Sequence, residues 1–238
     1  MTCAIAVMAK APQPGRCKTR LAPLLGADRA AALSIAFLRD ITDNLREAAQ
    51  LVPIAPFVAY APGGHAHLFD GILAPGTDLI LADGSGREAD GVDGFGRCLL
   101  HAIDGLFATG FSAACVLNSD SPTLPTAFLR RAAALLQMPG DRVVLGPAED
   151  GGYYLLGMKR GHARLFADIE WSTERVAEQT RARARDAGIP LVELGPWYDV
   201  DDEDALNRLR AELCDPAATG YRAAATSACL SLFEAQAA

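Results

Sequence analysis

Lys10-Ala-Pro-Gln-Pro-Gly-Arg-Cys-Lys-Thr-Arg-Leu-Ala-Pro23 is the stretch on which the reading of the chain turns. It follows Ala4-Ile-Ala-Val-Met8, a short apolar run that predicts a buried strand. It precedes a long helical pattern that begins near Asp28. A strand, a basic Gly/Pro-rich loop and then a helix is the layout in which α/β proteins hold phosphate. Charge sharpens the point. The chain carries a net charge of −7, yet residues 1–27 hold Lys10, Arg16, Lys18 and Arg20 and no acid. The sequence has only three lysines, and two of them fall in this loop. Lysine offers phosphate a point charge and arginine a planar fork, so the two together suit a chain of phosphates. Lys10, Gly15, Lys18, Thr19 and Arg20 are therefore expected to bind a nucleotide's phosphates, a merely basic surface loop being the plain alternative.

At 238 residues, half of them hydrophobic and 21% charged, the composition is that of a globular domain able to bury a sizeable core. The acidic balance argues against nucleic acid or an anionic membrane as a partner. Six cysteines show no Cys-x-x-Cys pair and no zinc-type spacing to histidine, which suits a reducing compartment. Cys17 lies in the basic loop, but no histidine is close enough in sequence to make it a nucleophile. The first apolar run is too short for a signal peptide or a membrane span, and a cytoplasmic protein is expected.

Leu33, Phe37, Ile41 and Leu45 recur every four residues and predict a helix from Asp28 to about Gln50, with Asp28 as its N-cap. Strands are expected at 54–60, 79–81, 112–117, 142–145, 152–158 and 189–194. Helices are expected at 95–108, 126–137, 173–187 and 203–213. Such alternation implies a mostly parallel central sheet with helices on both faces. Gly84-Ser-Gly86-Arg-Glu-Ala89 formally matches a dinucleotide fingerprint, but Gly91, Gly94 and Gly96 prevent the helix that should follow at once. Leu230 and Phe233 give the alanine-rich tail a helical spacing. It either docks on the body or makes an oligomer contact, a homodimer among the options.

Three acidic clusters fall where such a sheet places its ligands, at the carboxyl ends of strands. In Asn118-Ser-Asp120-Ser-Pro-Thr-Leu-Pro125, Asp120 can hold Mg2+ or Mn2+ bridging a diphosphate, since hard cations prefer carboxylate oxygen. In Gly146-Pro-Ala-Glu149-Asp150-Gly-Gly-Tyr-Tyr154, the Asp-Gly-Gly run reads as a hairpin whose glycines let a ligand approach the backbone. In Trp197-Tyr-Asp199-Val-Asp201-Asp-Glu-Asp204, the two aspartates two apart face one side of an extended chain. Asp202, Glu203 and Asp204 suit a helix start, which leaves Asp201 as the second expected metal ligand. Trp171-Ser-Thr173 reads mainly as a helix cap.

Together these residues resemble the rSAM/selenodomain-associated transferase family, bacterial proteins with a Rossmann-like nucleotide-diphospho-sugar transferase (GT-A-like) fold. The resemblance rests on Lys10-Ala-Pro-x-Pro-Gly15, Lys18-Thr-Arg-Leu-Ala-Pro23, Ser119-Asp-Ser-Pro-Thr-Leu-Pro125, Gly146-Pro-x-x-Asp150-Gly-Gly-Tyr-Tyr154, Trp171-Ser-Thr173 and Asp199-Val-Asp201. It is looser at Gly94-Phe-Gly-Arg-Cys-Leu99, where the family carries an acid-Leu-Gly-Glu-Arg-like signature. The resemblance implies an α/β GT-A domain over residues 1–214 and a helical tail over 215–238. It implies metal-dependent transfer of a sugar from a nucleotide-activated donor to a small acceptor. Asp150 would then act as base or positioner, with Glu149, Gly151, Gly152, Tyr153, Trp171 and Ser172 on the acceptor side. The Lys-Thr-Arg-Leu loop is also similar to that of phospholactate and phosphoenolpyruvate guanylyltransferases. That similarity implies the rival reaction, coupling of an NTP to a phosphorylated or carboxylated acceptor with release of pyrophosphate. A nucleotide-binding module without chemistry is the third reading, and the three carboxylate clusters argue against it.

Overall fold

The computed structural model describes residues 2–236. Met1, Ala237 and Ala238, which fall inside the expected units 1–214 and 215–238, lie outside the described residues. The first half runs β1 (Cys3–Lys10), α1 (Ala22–Leu25), α2 (Ala27–Ala49), β2 (Ile54–Ala61), β3 (Asp78–Leu81), α3 (Phe95–Ala108) and β4 (Ala113–Leu117). The second half runs α4 (Thr126–Gln137), β5 (Val143–Pro147), β6 (Tyr153–Met158), α5 (Val176–Asp186), β7 (Leu191–Glu193), α6 (Glu203–Cys214) and α7 (Ala224–Ala235). The seven strands form one sheet in the order β3-β2-β1-β4-β6-β5-β7. Only β6 runs against the rest, because the hairpin after β5 turns the chain straight back beside it.

Burial on both faces explains why β1 is apolar throughout. Cys3, Ile5, Val7 and Ala9 enter one core with the apolar sides of α2, α4, α6 and α7. Ala4 and Ala6 enter the other with α3 and α5. This is the strand periodicity of two, expressed with a helical layer on each face. The chain moves outward from β1 to β2 and β3, then returns to the other side of β1 as β4. The carboxyl ends of β1 and β4 therefore flank a switch point, where open α/β sheets leave a crevice.

Element limits differ from the sequence expectation at a few places, each with a physical reason. The first long helix begins at Ala27 with Gly26 ahead of it, and Asp28 lies in its first turn rather than capping it. Helix α5 begins at Val176 rather than Thr173. Ser172 there has φ +64, outside the helical region, and the Glu174 backbone packs closely on Gly151. Asp202 does cap α6, its carboxylate accepting the Ala205 N–H at 2.8 Å. In the tail, Leu230 and Phe233 are buried in the core that contains α2. Among the described residues no helix is long and apolar enough to cross a membrane.

Candidate active site

The basic loop leaves β1 at Lys10 and turns at Gly15, where φ is +74. With Ser34 and Leu38 of α2, Ala59 and Ala61 of β2, and Ala82 after β3, it encloses a cavity of about 330 Å³. Lys10, Arg16, Lys18, Thr19 and Arg20 all line this cavity, and small alanines at the strand ends give it depth. Gly15 does not line it and serves the turn. The expected helix N-terminus does not contribute. Helix α2 meets the cavity with Ser34 and Leu38, well past its first turn, so the charged groups the cavity presents are side chains.

Lys18 lines the cavity and is also paired with the strand-end acids. Its side chain is only 4% exposed, with Nζ 2.5 Å from Asp120 Oδ1 and 3.2 Å from Asp201 Oδ1. It also donates to the Val200 carbonyl at 2.7 Å. Two of the ammonium's three donors go to the Val200 carbonyl and Asp201 Oδ1, and Asp120 adds an ion pair. A left-handed backbone (φ +48) turns the side chain inward, and the Phe37 ring lies 5.0 Å from Nζ. The freer cations of the loop are Lys10, Arg16 and Arg20. Arg20 is 74% exposed and stands 3.7 Å from Asp201 Oδ2.

Asp120 follows β4, and Asp199 and Asp201 sit on the segment between β7 and α6. Backbone bonds join the two pieces: Val200 N–H donates to the Asp120 carbonyl at 2.8 Å, and Ser121 Oγ donates to that of Tyr198, also at 2.8 Å. The β5–β6 hairpin is tied to the same segment by Glu149 N–H on the Trp197 carbonyl at 3.0 Å. Asp150 in that hairpin accepts the Gly152 N–H on Oδ1 at 2.8 Å. Glu149 points elsewhere. Arg208 holds both of its oxygens, at 2.6 and 3.1 Å, and keeps its carboxyl below the usual range.

Four carboxylates thus share one neighbourhood. Burial, reinforced by the charges of Asp150, Asp201 and Asp120, pushes the Asp199 carboxyl up to about 6. Lys18 and Arg20 are the cations within ion-pair distance of these four acids, which leaves two negative charges without partners. That surplus is the charge of one divalent cation. Among the described residues no three acidic, histidine or cysteine side chains form a ready-made cage. Mg2+ is commonly held by one or two carboxylates together with a substrate's phosphates, so the donor set suits a metal that arrives with its nucleotide.

Beyond the acids lies a wider cleft of about 880 Å³, lined by Glu149, Asp150, Gly151, Gly152, Tyr153, Trp171 and Ser172 among others. Arg20, Phe95 and Asp201 line both this cleft and the cavity of the basic loop, so the two are continuous. Trp171 and Ser172 do not cap α5 but form a wall facing the hairpin. Asp199 and Phe95 stand in the sequence motifs above but were not among the expected site residues. The first had a signal, its position two residues before Asp201 on an extended segment. The second, a phenylalanine between two glycines, had none.

The crevice at the switch point, with loop cations on one side and strand-end acids on the other, belongs to a nucleotide-diphospho-sugar transferase (GT-A-like) fold. A protein from Desulfovibrio desulfuricans G20, provisionally named a nucleotide-diphospho-sugar transferase, is similar at 26% identity with a TM-score of 0.81, over 99% of this chain and 96% of that one. The chain belongs to the family described as an uncharacterized protein conserved in bacteria (DUF2064), whose profile matches residues 44–173. The fold is shared with CMP:2-keto-3-deoxy-manno-octonic acid synthetase in complex with CTP, at 14% identity and a TM-score of 0.54, over 89% of this chain and 98% of that one. It is shared too with glucosyl-3-phosphoglycerate synthase from Mycobacterium tuberculosis, bound to Mn2+, UDP and glucosyl-3-phosphoglycerate, at 12% identity and a TM-score of 0.51, over 87% of this chain and 74% of that one. A search of curated proteins returned no match.

Proposed function

We propose that the chain is a metal-dependent transferase of the rSAM/selenodomain-associated type, moving a sugar from a nucleotide-activated donor to a small acceptor. The observation that carries the reading is the continuity of a cation-lined cavity with an acceptor-sized cleft across four carboxylates. Lys10, Arg16, Thr19 and Arg20 hold the donor's phosphates. Asp120 and Asp201 hold Mg2+ or Mn2+, and Lys18 keeps the two aspartates aligned. The metal supplies positive charge to the leaving phosphate. Asp150, with one oxygen fixed by the Gly152 N–H, orients the acceptor hydroxyl and takes its proton. Catalysis on this reading is mainly electrostatic, since preset charges meet the charge that develops as the sugar–phosphate bond breaks. Similarity over nearly the full length of the Desulfovibrio protein supports sugar transfer.

The rival is nucleotidyl transfer, supported by the number of cations on one cavity, which would suit a triphosphate. The two reactions differ in what leaves. Sugar transfer releases a nucleoside diphosphate, or a monophosphate from a monophosphate-activated donor, whereas nucleotidyl transfer releases pyrophosphate. Turnover with NTPs and sugar nucleotides in Mn2+, with both products followed, distinguishes them. We expect acceptor-dependent release of nucleoside diphosphate that falls at least about 100-fold in Asp120→Asn, the scale seen when one electrostatic contact to a transition state is lost. Acceptor-dependent pyrophosphate from an NTP overturns the reading.

A further inference from the structure

The cavity of the basic loop and the cleft beside it differ in charge, and the difference bears on the acceptor. Accepting the cleft as the acceptor side, as proposed above, we infer that Phe95 and Trp171 select a neutral, hydroxyl-bearing ring there. Phe95 is 49% exposed although it begins a helix whose following apolar residues are buried. Its ring meets Trp171 edge to face, 5.7 Å between centroids at 86°, so the pair forms an aromatic corner. The corner is built rather than incidental. A Cβ on Gly96 would stand 3.0 Å from the Trp171 indole, so the helix carries glycine where the indole lies against it. Phe95 also lines the small cavity that holds Asp120, Asp150 and Asp199, which puts the corner beside the acids.

Charge narrows the class of occupant. Arg20 is the one cation lining this cleft, and it already faces Asp201. Glu149 is paired with Arg208, while Asp150 and Glu174 line the cleft with no ion-pair partner among the described residues. A phosphorylated or carboxylated acceptor would meet those two acids without a matching cation. A neutral ring avoids that mismatch. Its C–H face packs on an aromatic ring, whose face carries the negative part of the quadrupole, and its hydroxyls donate to the Asp150 carboxylate. Tyr153 lines the cleft, and its hydroxyl is buried without a hydrogen-bond partner.

The test needs neither donor nor turnover. The chain has two tryptophans, so Trp197→Phe leaves Trp171 as the fluorescent reporter. The full-length variant is titrated in Mn2+ with the methyl glycosides of glucose, galactose and mannose, with glucose 6-phosphate and with glucosamine. At least one methyl glycoside should give a saturable change in Trp171 emission, at an affinity about tenfold or more above that for the phosphate or the amine. Adding Phe95→Ala should weaken that glycoside about tenfold without lowering Tm, because the ring is half exposed. Tighter binding of the phosphate or the amine, no saturable response to any methyl glycoside, or full affinity in Phe95→Ala would each overturn the inference. Glycoside binding without sugar transfer would instead sink only the proposed reaction. Transfer to an anionic acceptor would spare the reaction and sink the inference.

Discussion

Lys18 is the residue whose surroundings most change the interpretation of the basic loop. Its ammonium lies between Asp120 and Asp201, residues 100 or more positions away in the chain, paired with both and donating to Asp201 and the Val200 carbonyl. Removing it leaves two facing carboxylates without their cation. The acids are about a third exposed, so water screens part of the cost. Lys18→Met should therefore destabilise the protein by about 1.5–3 kcal/mol, the worth of a charged hydrogen bond, in urea unfolding. The same change deepens the negative surplus, so Mn2+ should raise Tm more in the variant than in the parent. An unchanged urea midpoint, or a Mn2+ shift smaller than in the parent, would show that Lys18 does not hold the acids. The sequence displayed the basic charge and the separate acids, which is why both appear among the expected site residues. Which cation each acid takes is a tertiary fact with no local signal. Asp199 is the opposite case, visible by its spacing two residues before Asp201 yet not among the expected ligands.

Helix α7 shows how an element can be legible while its anchor is not. The spacing of Leu230 and Phe233 foretells an amphipathic helix, and both are buried against the core that includes α2. What starts the helix is remote. Ala223 precedes it in a left-handed conformation and has no side chain to cap it. Asp40, in the middle of α2, supplies the cap by accepting the N–H groups of Ala225 at 2.9 Å and Thr226 at 2.7 Å. Burial raises the Asp40 carboxyl above its ordinary value, while those two bonds pull it back. Tyr221 adds a hydrogen bond to Asp43 at 3.0 Å. Asp40→Ala removes a cap and orphans two N–H groups, at a cost of about 1–2 kcal/mol. The loss should appear as faster hydrogen exchange confined to α7, with the α3 and α5 layer unaffected. Unaltered exchange across residues 224–235 would mean that apolar contact alone seats the tail. Such distant caps cannot be read from a sequence, because a cap search looks only at the residue before a helix.

At the scale of the whole molecule, the span recognised by the family is shorter than the span of the sheet. The family profile covers residues 44–173, which contain β2 to β6 with α3 and α4. An inner strand of the sheet, β1, lies outside it. Along all eight of its residues β1 pairs with β2, from Cys3 opposite Ile54 to Lys10 opposite Ala61. On its other side it pairs with β4, from Cys3 opposite Ala113 to Val7 opposite Leu117. Without β1, two inner strands become exposed edges, which favour pairing with other chains. Both cores also lose the residues that β1 contributes. The site goes as well, since Lys10 to Arg20 and Asp199 to Asp201 lie on either side of the matched span. A fragment of residues 44–173 should therefore show no cooperative urea transition and should aggregate at micromolar concentration. The full chain should unfold in one transition whose midpoint rises when Mn2+ and a bound nucleotide are present, the unfolding free energy gaining about 2.7 kcal/mol at 100 times the Kd. A dispersed amide spectrum and a cooperative transition from the fragment would refute this, because they would place a self-sufficient core between β2 and β6. Failure of the fragment with success of the full chain would mean that β1 joins two half-sheets into one body, and in the same act brings the loop cations to the acids.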